Sequence, residues 1–141
     1  MEIIKDKTIT VESLINAPVS KVWNYWTDPK HITQWYYASD DWHAPYAEND
    51  LWVNGKFRTR MSAKDGNSGF DFEGVYTNIV KNQKIEYTIP DGRKVAVTFS
   101  DLGGETKVAE EFEMETVNPY ELQKGGWQAI LNNFKKYIET T

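Results

Sequence analysis

Asn54-Gly55-Lys56-Phe57-Arg58-Thr59-Arg60-Met61-Ser62-Ala63-Lys64-Asp65-Gly66 reads as one strand held between two tight turns. Asn54-Gly55 and Asp65-Gly66 tolerate the positive φ that short hairpin turns demand. Between them Phe57, Thr59 and Met61 alternate with Arg58 and Arg60, so the segment has an apolar face and a charged face. The same punctuation recurs at Lys81-Asn82, Asp91-Gly92 and Gly103-Gly104. It predicts six strands, at about 42–50, 56–63, 68–79, 84–89, 93–100 and 105–116. Thr8–Ile15, β-branched and roughly alternating, makes a seventh. Seven strands joined in sequence by hairpins predict an antiparallel sheet.

Helical spacing appears on either side of this pattern. Val19, Val22, Trp23 and Trp26 recur at i, i+3, i+4, i+7 behind Pro18, which suits the first position of a helix. Thr27-Asp28-Pro29 ends that helix and opens a second, short one, with Asp28 as N-cap, Pro29 at N1 and Ile32, Trp35 and Tyr36 on its apolar face. Asn118-Pro119-Tyr120-Glu121 announces a long C-terminal helix, read with Asn118 as the cap, Pro119 at N1 and Glu121 at N3. Tyr120, Trp127, Ile130, Leu131, Phe134, Tyr137 and Ile138 share its apolar face, and Lys135 and Lys136 suit its negative end. Gly125-Gly126 costs that helix about 1 kcal/mol per residue against alanine. Such an expense points to close backbone approach or to space left open.

These elements form an α+β layout in which one long helix must cover the apolar face of seven strands. A helix with its side chains is about 10 Å wide, whereas seven strands spaced by roughly 4.8 Å span about three times that. The sheet must therefore curl around the C-terminal helix, with the two short helices closing one end. A grip of this kind leaves room for a cavity between sheet and helix.

Composition narrows the function. The chain has 141 residues, the size of a single domain, with a net charge of −5, a pI near 5.1 and no cysteine. An acidic chain is a poor nucleic-acid binder. No apolar run is long enough for a membrane-spanning helix, and the charged opening Met1–Lys7 lacks the apolar stretch of a signal peptide. Cytoplasmic localisation is the expectation. Without cysteine there is no thiol nucleophile or cysteine metal site, and two histidines with scattered acids have no zinc-ligand spacing. No metal, cofactor or glycine-rich phosphate loop is implied. What stands out is the 20 aromatic residues.

Strand alternation places Val108, Glu110, Phe112 and Met114 on one face of the last strand, with Glu111, Glu113 and Glu115 on the solvent side. An inward Glu110 among apolar neighbours would have its charged form disfavoured and its pKa raised. A β-bulge at Glu110-Glu111 would instead turn both outward. His31 is expected to face water and His43 to lie near a pocket mouth. Neither histidine has a Ser or Cys partner at a triad motif. The expected cavity wall is Trp35, Trp42, Phe57, Thr59, Met61, Phe72, Tyr76, Tyr87, Phe99, Phe112 and Trp127, with Glu110 contacting ligand. No residue is assigned as catalytic.

Ala17-Pro18-x-x-x-Val22-Trp23, Thr27-Asp28-Pro29 and Ile32-x-x-Trp35 resemble the start of the START-like, or SRPBCC, superfamily. The closer resemblance is to the branch named after the activator of the heat-shock protein 90 ATPase. Asn54-Gly55-Lys56-Phe57-Arg58, Phe72-Glu73-Gly74-Val75-Tyr76 and Lys84-Ile85-Glu86-Tyr87-Thr88 resemble its central strands, and Gly126-Trp127 with Leu131 its C-terminal helix. The match runs nearly the whole chain in order and implies the helix-grip fold. Members of the superfamily include lipid and sterol carriers, hormone receptors and aromatic polyketide cyclases. Eukaryotic members of the branch carry an added N-terminal domain that binds the chaperone. Here the helix-grip pattern starts within the first ten residues.

The expected function is reversible binding of a small hydrophobic or aromatic molecule, rather than catalysis. One alternative is a cyclase- or dehydratase-like enzyme using Glu110 or His43 for proton transfer and Tyr76 or Tyr87 as hydrogen-bond donor. The other is a protein-interaction module that modulates a chaperone ATPase.

Overall fold

A computed structural model describes residues 8–141. The Met1–Lys7 opening, read above for a signal peptide, lies outside the described residues.

The expected order of elements is present. Strand β1 (Thr8–Ile15) leads into helices α1 (Val19–Thr27) and α2 (Pro29–Ile32). Strands β2 (Trp42–Asn49), β3 (Lys56–Ala63), β4 (Gly69–Val80), β5 (Lys84–Thr88), β6 (Lys94–Asp101) and β7 (Thr106–Glu113) follow, and helix α3 (Tyr120–Glu139) ends the chain. All seven strands form one curved antiparallel sheet in the order β1-β7-β6-β5-β4-β3-β2. Each of the five turn dipeptides holds one residue at positive φ, as at Asn54 (72°) and Gly92 (94°). This is the helix-grip arrangement.

One connection differs from the expectation of hairpins throughout. β1 does not pair with β2. It lies at the opposite edge against β7, from Thr8 opposite Glu113 to Ile15 opposite Thr106. The chain between β1 and β2 is taken up by α1 and α2, not by a tight turn, and these helices carry it across the end of the sheet. β2 forms the other edge. Its register shifts between His43 and Tyr46, around Pro45, which has no N–H to donate to a ladder.

Helix starts also differ in detail. Pro18 is the N-cap of α1, not its first residue: its backbone is extended (ψ 154°) and its carbonyl accepts from Lys21 and Val22. Pro119 likewise caps α3, in place of Asn118, which leaves Glu121 at N2. Asn118 is held differently, because its backbone and side-chain N–H groups both donate to Glu115 and its carbonyl accepts from Gln123. Tyr120, expected on the inner face, is 41 % exposed. Asp28 caps α2 as expected, accepting from the Lys30 N–H at 2.9 Å.

The core fills the space between the inner sheet face and α3. Leu131, Phe134 and Ile138 of α3 are buried against Ile9, Val11, Val97 and Val108. Each such side chain contributes about 1.5–3 kcal/mol when fully withdrawn from water. α1 and α2 close one end with Val22, Trp23, Ile32 and Trp35. There Trp35 packs edge-on against Phe134 at 4.7 Å, and Trp26 against Phe99 at 5.9 Å. His31 does not simply face water: it stacks on Tyr25 at 3.9 Å, and its Nδ1 lies 2.8 Å from the Tyr137 hydroxyl. No helix among the described residues is long and apolar enough to cross a membrane.

Candidate functional site

The end of the grip away from α1 is not filled. β7 runs there with unbroken alternation: Val108, Glu110 and Phe112 are buried and Glu111 is exposed. Glu110 pairs regularly with Val11 on one side and Val97 on the other, so no bulge turns it outward. The residue is 3 % exposed. No hydrogen bond or ion pair reaches its carboxyl from the other described residues. Burial alone raises its pKa from 4.5 to about 8, which leaves it neutral at pH 7.

This carboxyl faces a cavity of about 310 Å³. Met61 of β3, Phe72 of β4 and Gly126, Trp127 and Ile130 of α3 surround it. Tyr36, Tyr37, Ala38, Ser39, Trp42 and Phe70 complete the wall toward the rim, where Ala38, Ser39 and Phe70 are exposed to solvent. A Cβ at Gly126 would meet nothing within 4 Å, so this glycine adds open space to the cavity. Trp127 lies flat on Phe112, with ring centroids 3.9 Å apart.

A second space, of about 40 Å³, lies deeper under the sheet. Phe57, Thr59, Tyr76 and Tyr87 line it, together with Asn49, and the Tyr76 hydroxyl donates to Asn49. Tyr36 lines both spaces. Its phenol pKa is pushed well above the usual value by burial, and further by the Glu110 and Tyr76 charges. Burial also raises Tyr87, with Tyr36 and Glu110 adding to the effect. Both phenols therefore remain protonated donors at any pH near neutral.

Of the expected wall, the structure gathers Trp42, Met61, Phe72, Glu110 and Trp127 around the larger cavity. Phe57, Thr59, Tyr76 and Tyr87 belong to the smaller one. Trp35, Phe99 and Phe112 line neither and are part of the packed core, a correction to the expected wall. Trp35 is taken by Phe134 and by its indole hydrogen bond to the Tyr25 carbonyl, Phe99 by Trp23 and Trp26, and Phe112 by Trp127. His43, expected near the mouth, is exposed on edge strand β2 and lines neither space.

Sequence reasoning missed Tyr37, Ala38, Ser39 and Phe70, and gave Tyr36 only a packing role. Phe70 was accessible from parity, since it shares a face with Phe72. Tyr37 to Ser39 lie between α2 and β2 without periodicity, so no pattern marks them. No group of three acids or histidines that could hold a metal occurs among the described residues. A buried, unpartnered carboxyl in an aromatic cavity can donate one hydrogen bond while neutral, or pair with a cation once ionised.

Residues 16–139 match the family model described as Activator of Hsp90 ATPase homolog 1-like protein. The solution structure of an AHSA1-like protein from Aeromonas hydrophila is 41% identical, with a TM-score of 0.90 over 95% of this chain and 93% of its own. A protein from Cytophaga hutchinsonii is 53% identical, with a TM-score of 0.81 over 94% of this chain and 92% of its own. A protein from Chromobacterium violaceum shares the fold at 21% identity, with a TM-score of 0.84 over 94% of this chain and 98% of its own. No functionally curated protein matches the chain. With the family model spanning nearly all of the helix-grip elements, the chain belongs to the Activator of Hsp90 ATPase homolog 1-like family.

Proposed function

We propose that this protein reversibly binds a small hydrophobic or aromatic molecule in the cavity between the sheet and α3. The observation that carries the reading is the cavity itself, about 310 Å³ of space walled by aromatic side chains around one unpartnered carboxyl. Pockets of this size, mostly apolar with few polar groups, are the usual form of small-molecule sites. Gly126 supports the reading, because the open space beside it persists at about 1 kcal/mol of helix stability.

Native mass spectrometry of the freshly purified protein tests for a co-purifying molecule. Titration of one-ring and two-ring aromatics, followed by tryptophan fluorescence, tests for binding. Binding that disappears in Gly126→Leu, with the fold intact by circular dichroism, is the expected result. An interior that takes up none of these compounds overturns the reading.

A second reading has one observation in its favour. Glu110, with a pKa of about 8, is poised to give up a proton near neutral pH, and the neutral phenol of Tyr36 lines the same cavity. An acid catalyst acting on a bound aromatic ketone would use Glu110 as proton donor and Tyr36 as hydrogen-bond donor. His43 has no part in it. Turnover that Glu110→Gln abolishes while binding survives would establish this reading, and binding without turnover would dismiss it.

A further inference from the structure

Glu110 is the only Asp, Glu, Lys, Arg or His side chain lining the larger cavity among the described residues. It is 97 % withdrawn from solvent by its 3 % exposure, unpaired, and aimed into a space surrounded by aromatic rings. We propose that the ligand is an organic cation, a hydrophobic aromatic amine whose ammonium group pairs with Glu110 while its ring occupies the aromatic space. The inference rests on the binding reading above and narrows it to a chemical class.

Three observations favour a cation over the other ligand charges. First, no Lys, Arg or His lines the cavity, so an anionic ligand would meet an acid and no counter-charge. Second, Tyr36, Phe72 and Trp127 surround the same space, and the negative faces of aromatic rings attract an ammonium group. Third, a carboxyl differs from an amide of the same shape in its capacity to take a negative charge. A neutral ligand carbonyl would need only a donor, which glutamine would supply without the penalty of a buried acid.

The surroundings of Glu110 leave the charge to the ligand. Val11 of β1, Val97 of β6, and Gly126, Trp127 and Ile130 of α3 do not titrate. Tyr36 and Tyr87 do, but their raised values keep them neutral. Outside the rim, Asp40 shares an adjoining groove with Lys136, and Asp41 lies under the influence of Lys64. These opposed charges do not decide the ligand's sign.

The pairing has a proton signature. An alkylammonium, titrating near the lysine value of about 10.4, arrives charged at pH 7. Glu110 is then mostly protonated, so forming the ion pair releases its proton to the buffer. Affinity for an amine should therefore rise about tenfold between pH 7 and pH 9, as Glu110 ionises through a pKa of about 8. A ligand that accepts a hydrogen bond from the neutral acid gives the opposite slope.

The test is calorimetric titration with 2-phenylethylamine and its neutral counterpart 2-phenylethanol at pH 7 and pH 9. At pH 7 it is run in two buffers of different ionisation heat. The expected result is tighter amine than alcohol binding at pH 9 by at least about tenfold. Amine affinity should rise with pH, with close to one proton released at pH 7, and Glu110→Gln should bind both compounds alike. Equal binding of the two at pH 9, or amine affinity that falls with pH, overturns the cation and leaves the binding reading standing. Binding of neither compound overturns both. Should Glu110→Gln fail to fold, the pH slope and proton release of the unmodified protein decide the matter alone.

Discussion

Trp127 of α3 lies flat against Phe112 of β7, with ring centroids 3.9 Å apart and planes 12° from parallel. Phe112 stands two residues beyond Glu110 on the inner face of β7, and Trp127 directly follows Gly126. One aromatic stack therefore ties the long helix to the sheet and sets one wall of the cavity beside the buried acid. Phe112→Ala should destabilise the protein by about 3–5 kcal/mol, the usual cost of deleting a buried phenylalanine, read as a lower urea midpoint. A loss below about 1 kcal/mol would mean that the stack does not anchor α3.

Glu110 makes stability fall as pH rises. Its folded pKa, about 8, lies above its ordinary 4.5, so the folded protein holds a proton that the unfolded chain has given up. The associated stability is fully present below pH 4.5 and is lost progressively up to pH 8. Each pH unit of that window weighs about 1.4 kcal/mol, which puts the total on the order of 5 kcal/mol. Glu110→Gln should flatten this slope and be the more stable protein at pH 8. Identical pH profiles of unfolding for the two proteins would contradict the buried, unpartnered placement.

Two glycines should respond oppositely to alanine. Gly125 is exposed within α3 and has open space where a Cβ would be, so Gly125→Ala should stabilise by about 0.5–1 kcal/mol. Gly92 also has open space, but its φ of 94° is unfavourable for any residue with a Cβ. Gly92→Ala should cost about 1–2 kcal/mol. Thermal melts of the two variants check both signs.

Tyr36 should control the size of molecule admitted. It borders both the cavity of about 310 Å³ and the inner space of about 40 Å³. Tyr36→Ala should join them and raise affinity for two-ring over one-ring aromatics by roughly tenfold, a gain that at about 25 cal/mol per Å² corresponds to about 55 Å² of added apolar contact. An unchanged size preference would show that the two spaces act separately.

Much of this architecture was legible before folding was considered. Alternation along Phe57-Arg58-Thr59-Arg60-Met61 sets which side of β3 faces inward, because successive strand side chains point to opposite faces. The turn dipeptides mark the hairpins, because few residues accept positive φ. The same parity places Glu110 inside, and the apolar spacing of α3 supplies Leu131, Phe134 and Ile138 as its buried stripe. Parity reports a side, however, and gives no depth. It groups Phe99, Phe112, Phe57 and Phe72 as equivalents, although Phe99 and Phe112 are packed solid while Phe72 borders open space.

By itself, then, the chain specifies its elements, their inner faces and the burial of one acid, since these follow from local backbone geometry and side-chain period. Three matters required the tertiary structure: the pairing of β1 with β7, the closure of one end by Trp26, Trp35 and Phe134, and the opening of the other beside Gly126. Tyr37, Ala38 and Ser39 reach the cavity only because α2 and β2 place their connecting segment over it. Each of these depends on contacts between segments far apart in the chain, and periodicity within a segment carries no information about what will cover it.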